Sequence, residues 1–223
     1  MILERTLKAG TRKSPLALKQ IEEVLGLLRV IYPDFKAEIV GMDTYGDKDK
    51  VTPISEIEGS DFFTREIDQA LLNGEIDFAV HSAKDLPDEI TKGLAVAAIT
   101  KSIDPFDDLV SKGRLPLERL PQGAKVGTSS QRRKDQLKKY RPDFNLIDIR
   151  GTIQERLALL EQPDLDAIIV AACALKRLGL EDRIAQRIPF DILKPHPLQG
   201  ALAIVTREDN QELIGILKVL DGK

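Results

Sequence analysis

The sequence predicts an α/β fold organised as two lobes. Short apolar runs typical of buried strands alternate with amphipathic segments of helical period, the pattern of a sheet covered by helices. Two stretches rich in Pro, Asp, Gly or His interrupt this alternation, at 102–123 and 194–200, and each is suited to carry the chain between lobes. We therefore expect a first lobe over residues 1–100, completed by 200–223, and a second lobe over 101–199.

The elements of the first lobe follow from capping signals and periodicity. A strand is expected to end at Ala9-Gly10, and Ser14 is placed to cap a helix whose first position is Pro15. Apolar residues then recur every three or four positions until Tyr32, where the helix should stop before Pro33. The elements expected next are a strand at 36–40, a helix at 63–72 and a buried strand at 77–80.

The second half continues the alternation after the first connecting stretch, which contains a short apolar piece at Leu109-Val110. Its expected strands lie at 124–127, 145–149 and 166–171, and its expected helices end near Tyr140, span 152–160 and surround Leu175. A strand at 201–205 and a helix at 210–220 then return to the first lobe.

Composition and charge exclude several classes of protein. The chain of 223 residues has a net charge of −3, from 33 Lys and Arg against 36 Asp and Glu, which gives no general attraction to nucleic acid or membranes. One cysteine and two histidines argue against a disulfide framework and a zinc site. The N-terminus has no apolar signal core, and no apolar run approaches the roughly 18 residues of a membrane span. We expect a cytoplasmic protein without metal, nucleic-acid or membrane partners.

Basic and hydroxyl side chains follow each of five predicted buried strands. In open α/β sheets, ligands collect at the carboxyl ends of strands, where helix N-termini offer free N–H groups and arginine binds carboxylates through two bonds. Five such ends on an acidic chain predict a polyanionic ligand with several carboxylates, although each junction taken alone also fits an ordinary cap or a solvated cation. The residues are Arg12, Lys13 and Ser14; Ser82, Lys84 and Asp85; Thr128, Ser129, Ser130, Arg132 and Arg133; Arg150 and Arg156; and Lys176 and Arg177.

Asp85 differs from this set because it is a carboxylate among cations, and it should stay ionised. It could offset positive charge on a ligand or move a proton as a general acid or base. The alternative, that Asp85 pairs with Lys84 or caps the turn before Pro87, is equally compatible with the sequence.

Several motifs, in order, resemble one known family. They are AGTRKSPLALKQ, HSAKDLP, GTSSQRRKDQL, IRGTIQERL, ALKRLGL and LQGALAI, and they run from about residue 7 to about residue 207. Together they resemble hydroxymethylbilane synthase, also called porphobilinogen deaminase. The resemblance implies a transferase of tetrapyrrole (heme) biosynthesis that joins porphobilinogen units head to tail and releases ammonia. It also implies two lobes like those of type II periplasmic binding proteins, with the ligand cleft between them.

The resemblance assigns roles by position. Asp85 would be the catalytic carboxylate, which stabilises cationic pyrrole intermediates and assists proton transfer. The pyrrole substrate carries acetate and propionate groups, which the basic residues would hold. The positions implied for substrate or cofactor binding are Arg12, Ser14, Ser82, Lys84, Thr128, Ser129, Ser130, Arg132, Arg133, Arg150, Arg156, Arg177 and Gln199.

The family pattern also includes a third domain, in which a cysteine attaches a dipyrromethane cofactor through a thioether. The sequence ends at Lys223 without that domain or that cysteine. Cys173 follows a predicted buried strand and is expected to be a core residue rather than a substitute anchor. Four explanations stay open: a separate chain supplies the third domain, the sequence is truncated, a primer is held noncovalently, or turnover has been lost.

Two functions of different classes therefore compete. The first is the transferase, favoured because Asp85 is present together with the arginines. The second is a noncatalytic module, like a periplasmic binding protein, that binds a pyrrole or another polycarboxylate. Such a module would need the arginines but would have no need of Asp85.

Overall fold

The computed structural model of the protein describes residues 5–49 and 61–222. Its strands are β1 (Leu7–Arg12), β2 (Ala37–Met42), β3 (Phe78–Ser82), β4 (Leu94–Ile99), β5 (Asp107–Ser111), β6 (Lys125–Gly127), β7 (Asn145–Ile147), β8 (Ala167–Ala171), β9 (Gln186–Ile188) and β10 (Leu202–Arg207). Its α-helices are α1 (Pro15–Ile31), α2 (Tyr45–Lys48), α3 (Arg65–Leu72), α4 (Gln131–Tyr140), α5 (Ile153–Ala158), α6 (Ala172–Leu178) and α7 (Gln211–Leu217). Within the described ranges, no helix has the length and apolar character that crossing a membrane requires.

The chain divides into two compact lobes. Of the described residues, 5–49, 61–102 and 201–222 form lobe 1, and 103–200 form lobe 2. The chain thus passes from one lobe to the other at 102/103 and at 200/201, where the sequence-based boundaries were 100/101 and 199/200. Among the described residues, lobe 2 is one continuous segment that lies along the chain between two segments of lobe 1.

The sheet of lobe 1 has the strand order β2-β1-β3-β10-β4. Strand β1 is parallel to β2 and β3, whereas β10 is antiparallel to β3 and β4. Because β1 and β3 are parallel neighbours, their carboxyl ends lie at the same edge of the sheet. The residues that follow Arg12 and Ser82 are therefore neighbours in space.

Alternation along β3 builds the core on both faces of this sheet. Phe78 and Val80 belong to a cluster with residues of α1 and α7, while Ala79 belongs to a cluster with residues of α3. Helix α1 contributes Ile21, Leu28 and other apolar residues of its predicted stripe to the first cluster. A helix on each face leaves the strand ends as the place where polar side chains gather.

The sheet of lobe 2 repeats this arrangement, with the strand order β7-β6-β8-β5-β9. Strands β7, β6 and β8 are parallel, and β5 is antiparallel to β8 and β9. The carboxyl ends of three strands therefore share one edge. In each lobe, the antiparallel inner strand is the first strand after a crossing: β5 after 102/103 and β10 after 200/201.

The stretch at 102–123 is more structured than a connector. Its apolar piece, Leu109-Val110, is the middle of β5, which is buried along its whole length. The aspartates that make this segment resemble a loop, Asp107 and Asp108, are fully buried and form ion pairs with Arg133 and Arg187. Sequence composition alone does not reveal those partners, which stand far away along the chain.

Candidate functional site

A pocket of about 60 Å³ lies in lobe 1 at the shared edge of β1 and β3. It is bordered by the first turns of α1 and by the turn that follows β3. Four residues singled out from the sequence line it: Arg12, Ser14, Ser82 and Asp85. The volume is enough for a few water molecules or for a carboxylate with its nearest atoms.

Arg12 ends β1 and is held in place on two sides. Its Nε lies 3.1 Å and 3.2 Å from the two carboxylate oxygens of Asp47, and its guanidinium stands over the Phe63 ring at 4.5 Å from the centroid. Asp47 also accepts a hydrogen bond of 2.8 Å from the hydroxyl of Thr44. Although burial raises the pKa of Asp47, the hydrogen bonds and charge of Arg12 bring it below its ordinary value. The arginine is therefore preorganised at the pocket.

Ser14 and Ser82 fix the two chain segments that border the pocket. Ser14 caps α1, and its hydroxyl accepts a hydrogen bond of 3.3 Å from the Ala17 N–H. The hydroxyl of Ser82 accepts a bond of 2.8 Å from Nε2 of Gln20, which is buried on α1. The first turn of α1 contains no acidic residue, so no carboxylate of its own offsets its positive end.

Asp85 ends the 3₁₀ turn at Ala83–Asp85 that follows β3. A backbone bond of 3.0 Å from the Ala83 N–H to the Ala201 carbonyl ties this turn to the start of the return segment. The carboxylate of Asp85 is exposed and lies on the pocket wall with Arg12, while Lys84 precedes it in the same turn. The arrangement presents one negative and one positive group to whatever occupies the pocket.

His81 also lines this pocket, and the sequence reasoning did not single it out. Its side chain is buried, and burial lowers its pKa to about 4, while the charge of Asp85 opposes that shift and the charge of Arg12 adds to it. The available signal was its position directly before Ser82 and four residues before Asp85, on the strand that leads to Asp85.

In lobe 2, the hydroxyl-bearing turn at residues 128–130, which follows β6, is hydrogen-bonded to the chain at the end of β7. The Thr128 N–H donates to the Ile147 carbonyl at 2.9 Å, and the Ser129 hydroxyl accepts from the Ile149 N–H at 3.0 Å and donates to the carbonyl of the same residue. Ser130 is the N-cap residue of α4. Thr128 and Ser129 are buried, so their side chains shape the edge rather than extend from it.

The adjacent arginines at 132 and 133 have different surroundings. Arg132 is half-buried and donates from Nη1 to the Lys194 carbonyl at 2.9 Å. Arg133 is buried and forms an ion pair with Asp107, whose side chain is fully buried. Gln199 is fully buried as well, and its Nε2 donates to Asp107 at 2.8 Å. The structure thus places Arg133 and Gln199 in an internal polar cluster, and the binding roles implied for them stay predictions.

Arg150, Arg156 and Arg177 are half-buried and follow β7 and β8. Arg156 donates from Nε to the Gly151 carbonyl at 2.9 Å, and Arg177 donates from Nη2 to the Gly200 carbonyl at 3.0 Å. Together with Arg132 after β6, they give lobe 2 four arginines downstream of parallel strand ends, a donor set suited to carboxylates.

Two other predictions concern metal ions and cysteine. Cys173 is buried in α6 and packs as a core residue. Across residues 5–49 and 61–222, no group of three or more His, Cys, Asp or Glu side chains is arranged to hold a metal ion.

The fold is similar to that of solved solute-binding proteins. The methionine-binding protein MetQ aligns with a TM-score of 0.60 at 16% identity, covering 96% of this chain and 89% of that one. A nutrient-binding protein from Burkholderia cenocepacia bound to methionine aligns with a TM-score of 0.55 at 15% identity, covering 95% and 90%. At such identities the likeness shows the fold alone, which is the two-lobed α/β fold of type II periplasmic binding proteins.

Sequence comparison identifies the family. The profile described as "Porphobilinogen deaminase, dipyromethane cofactor binding domain" matches residues 7–215. The porphobilinogen deaminase of Natranaerobius thermophilus is 46% identical over 96% of this chain and 70% of its own length. Those of Syntrophomonas wolfei and Geotalea uraniireducens are 45% and 44% identical, and the match covers 70% and 65% of their lengths. The chain therefore belongs to the porphobilinogen deaminase family.

Proposed function

We propose that the chain joins porphobilinogen units head to tail into hydroxymethylbilane, with release of ammonia, in tetrapyrrole biosynthesis. The observation that carries the proposal is the presence of Asp85 and Arg12 on one pocket wall at the shared end of β1 and β3. Family membership over residues 7–215 supports the reaction type. A cytoplasmic location belongs to the same proposal.

The basic residues supply binding in this proposal. Porphobilinogen and its oligomers carry acetate and propionate groups, and each guanidinium can bind a carboxylate through two parallel hydrogen bonds. Arg12 is the last residue of a parallel strand in lobe 1, and four arginines follow parallel strands in lobe 2: Arg132, Arg150, Arg156 and Arg177.

Asp85 supplies the charge stabilisation. When ammonia leaves porphobilinogen, the carbon–nitrogen bond breaks, the electron pair leaves with nitrogen, and a positive charge develops on the pyrrole and its methylene carbon. A carboxylate fixed at the pocket wall stabilises that charge without reorganising, because the turn at Ala83–Asp85 is already tied to the backbone of Ala201. Asp85 can also accept the proton lost when the new carbon–carbon bond is complete.

The residues present also fit the dipyrromethane named in the family description. Dipyrromethane is itself a polycarboxylate, and the strand-end arginines and the positive first turn of α1 are the kind of donors it requires. When bound, this cofactor supplies the free pyrrole carbon to which the first substrate unit is joined. Arg132 and Arg150 are the residues we expect to hold its carboxylates, and a separate chain carrying the family's third domain is a proposed partner.

A noncatalytic binding protein is the second candidate. The likeness to solute-binding proteins favours it, since the same fold binds methionine in the nutrient-binding protein from Burkholderia cenocepacia. The two candidates differ in what they require of Asp85, because binding of a polyanion gains nothing from an added carboxylate.

Turnover of porphobilinogen by the purified chain, measured as ammonia release and as porphyrin fluorescence after oxidation, tests the proposal. We expect Asp85→Asn to lower turnover about 100-fold or more while leaving porphobilinogen binding within about threefold, as loss of a transition-state charge does. Asp88→Asn is the matched control, because Asp88 is an exposed carboxylate three residues away.

Three outcomes separate the candidates. Equal turnover by both variants would refute the role of Asp85. Binding without turnover by the unaltered chain, even after a third-domain chain is added, would support the binding protein. Neither binding nor turnover would reject both functions.

A further inference from the structure

His81 has an unusual position for a buried histidine. It is the fourth residue of β3, pairs with Ala203 of β10 in the antiparallel register, and is 6% exposed. Its Nε2 is buried and has no hydrogen-bond partner among the residues that the structure describes. His81 is also one of the residues that line the pocket with Arg12 and Asp85.

An unsatisfied buried nitrogen is costly, so its retention needs a reason. Leaving a polar group buried without a partner costs about 1–3 kcal/mol, and such groups are few in native proteins. An apolar side chain of similar size would fill the position without this cost. The rest of β3 shows that apolar residues suit the strand, since Phe78, Ala79 and Val80 are all buried.

The imidazole is uncharged under physiological conditions. Burial is the main reason, and the guanidinium of Arg12 acts in the same direction. A neutral ring offers one N–H donor and one nitrogen acceptor. A charged ring would form an ion pair with Asp85 and weaken the negative charge available to a ligand. Because the ring is neutral, the negative charge of Asp85 remains available to a ligand, and His81 can act as a hydrogen-bond donor or acceptor.

We propose that His81 is a ligand-binding residue of the pocket, and that its imidazole forms a hydrogen bond with the pyrrole substrate held beside Asp85. The inference rests on the proposed function, because it takes porphobilinogen as the ligand. His81 already lines the pocket. A half-turn about the Cβ–Cγ bond exchanges Nε2 with Cε1, so the ring can place its nitrogens in either orientation without any change in the backbone.

Imidazole ¹⁵N NMR on the full chain tests this directly, because the protein contains two histidines. His196 is the internal reference, and His81→Gln and His196→Gln assign the two sets of signals. On addition of porphobilinogen at neutral pH, we expect the His81 nitrogens to show the shift of a newly formed hydrogen bond and the His196 nitrogens to stay unchanged. Calorimetry on the same samples measures binding independently.

The two measurements separate failure of the inference from failure of the proposed function. Calorimetric binding with unchanged His81 signals would overturn the inference and leave the proposed function standing. No calorimetric binding would count against the proposed function itself, and the inference would fall with it.

A pair of variants tests whether the role of His81 is functional rather than structural. His81→Leu removes the nitrogens at similar volume, so we expect an unchanged or higher melting temperature together with about tenfold weaker porphobilinogen binding, the equivalent of one lost hydrogen bond. His81→Gln keeps a neutral donor and acceptor and should restore most of the affinity. Affinity within twofold of the parent in His81→Leu would overturn the proposal, and if that variant fails to fold, the NMR result on the unaltered chain decides.

Discussion

The buried ion pair between Arg133 and Asp107 yields a quantitative prediction about stability. The two side chains are 8% and 0% exposed, so neither charge is shared with water. Asp107→Asn removes the negative charge but keeps an oxygen that can accept from Gln199, as Asp107 does at 2.8 Å. The perturbation therefore isolates the effect of leaving the Arg133 cation buried without its counter-charge.

We expect Asp107→Asn to destabilise the protein by about 3–5 kcal/mol, the usual result of breaking a buried pair from one side. For a protein of this size that corresponds to a fall in Tm of roughly 6–20 °C. The pair is also incompletely satisfied, because Nε of Arg133 and Oδ2 of Asp107 are buried and have no hydrogen-bond partner within residues 5–49 and 61–222. The double replacement Asp107→Leu with Arg133→Met should therefore recover most of the loss and lie within about 1 kcal/mol of the parent.

Scanning calorimetry on the full chain measures these effects, and Arg132→Met is the matched control. Arg132 is the half-buried neighbour that donates to the Lys194 carbonyl, so its replacement should change Tm by less than about 2 °C. Arg132→Met should, in contrast, bind porphobilinogen more weakly than Asp107→Asn does. If Asp107→Asn lowers Tm no more than Arg132→Met does, the assignment of Arg133 to the core is wrong.

Three further predictions concern pH, salt and helix capping. Burial raises the pKa of Asp108 to about 6 from 3.8, so its ionised form destabilises the fold above pH 6, and this effect fades as pH falls toward 4. Asp108→Asn should therefore stabilise the protein by about 3 kcal/mol at pH 8 and by much less at pH 4.5, measured as Tm at both values. Arg132→Ala and Arg150→Ala should weaken porphobilinogen binding more at low ionic strength than at high, and equal loss at every salt concentration would contradict the carboxylate argument. Thr152→Ala removes the hydroxyl that accepts from the Glu155 N–H at 3.3 Å at the start of α5 and should cost about 1 kcal/mol in unfolding experiments, whereas an unchanged Tm would show that this cap contributes nothing.

Local signals in the sequence located some elements closely. Ser14 caps α1 and Pro15 is its first residue, as the capping pattern predicts, because both preferences arise from the backbone of the helix itself. Strand β4 was not predicted, since its sequence LAVAAI is rich in alanine, which has low strand propensity. It is a strand because it pairs with β10, more than one hundred positions further along the chain. Pairing between strands so far apart along the chain cannot be inferred from local sequence.

In the candidate site, too, local sequence predicts some features and the fold alone determines others. The clustering of Arg12 and Asp85 could be predicted, because parallel neighbouring strands bring their carboxyl ends together whatever the side chains are. The sequence does not predict which of the strand-end side chains are buried. Arg133 resembles Arg132 in every local respect, and its burial depends on Asp107, a partner 26 positions away. The polar character of His81 is visible in the sequence, whereas its lack of a partner is a property of the fold.

The insertion of β10 between β3 and β4 has a consequence for biosynthesis. Lobe 1 lacks an inner strand of its sheet until residues 202–207 have left the ribosome, and before then all of lobe 2 must be translated. At about 5–20 residues per second, those roughly 100 residues take about 5–20 s. During that interval β3 and β4 present unpaired backbone edges of the kind that invites wrong pairing with other chains. The described residues of lobe 2 form one continuous segment, which can fold before lobe 1 is complete. The nascent chain is therefore most exposed to aggregation, and most in need of a chaperone, on its N-terminal side.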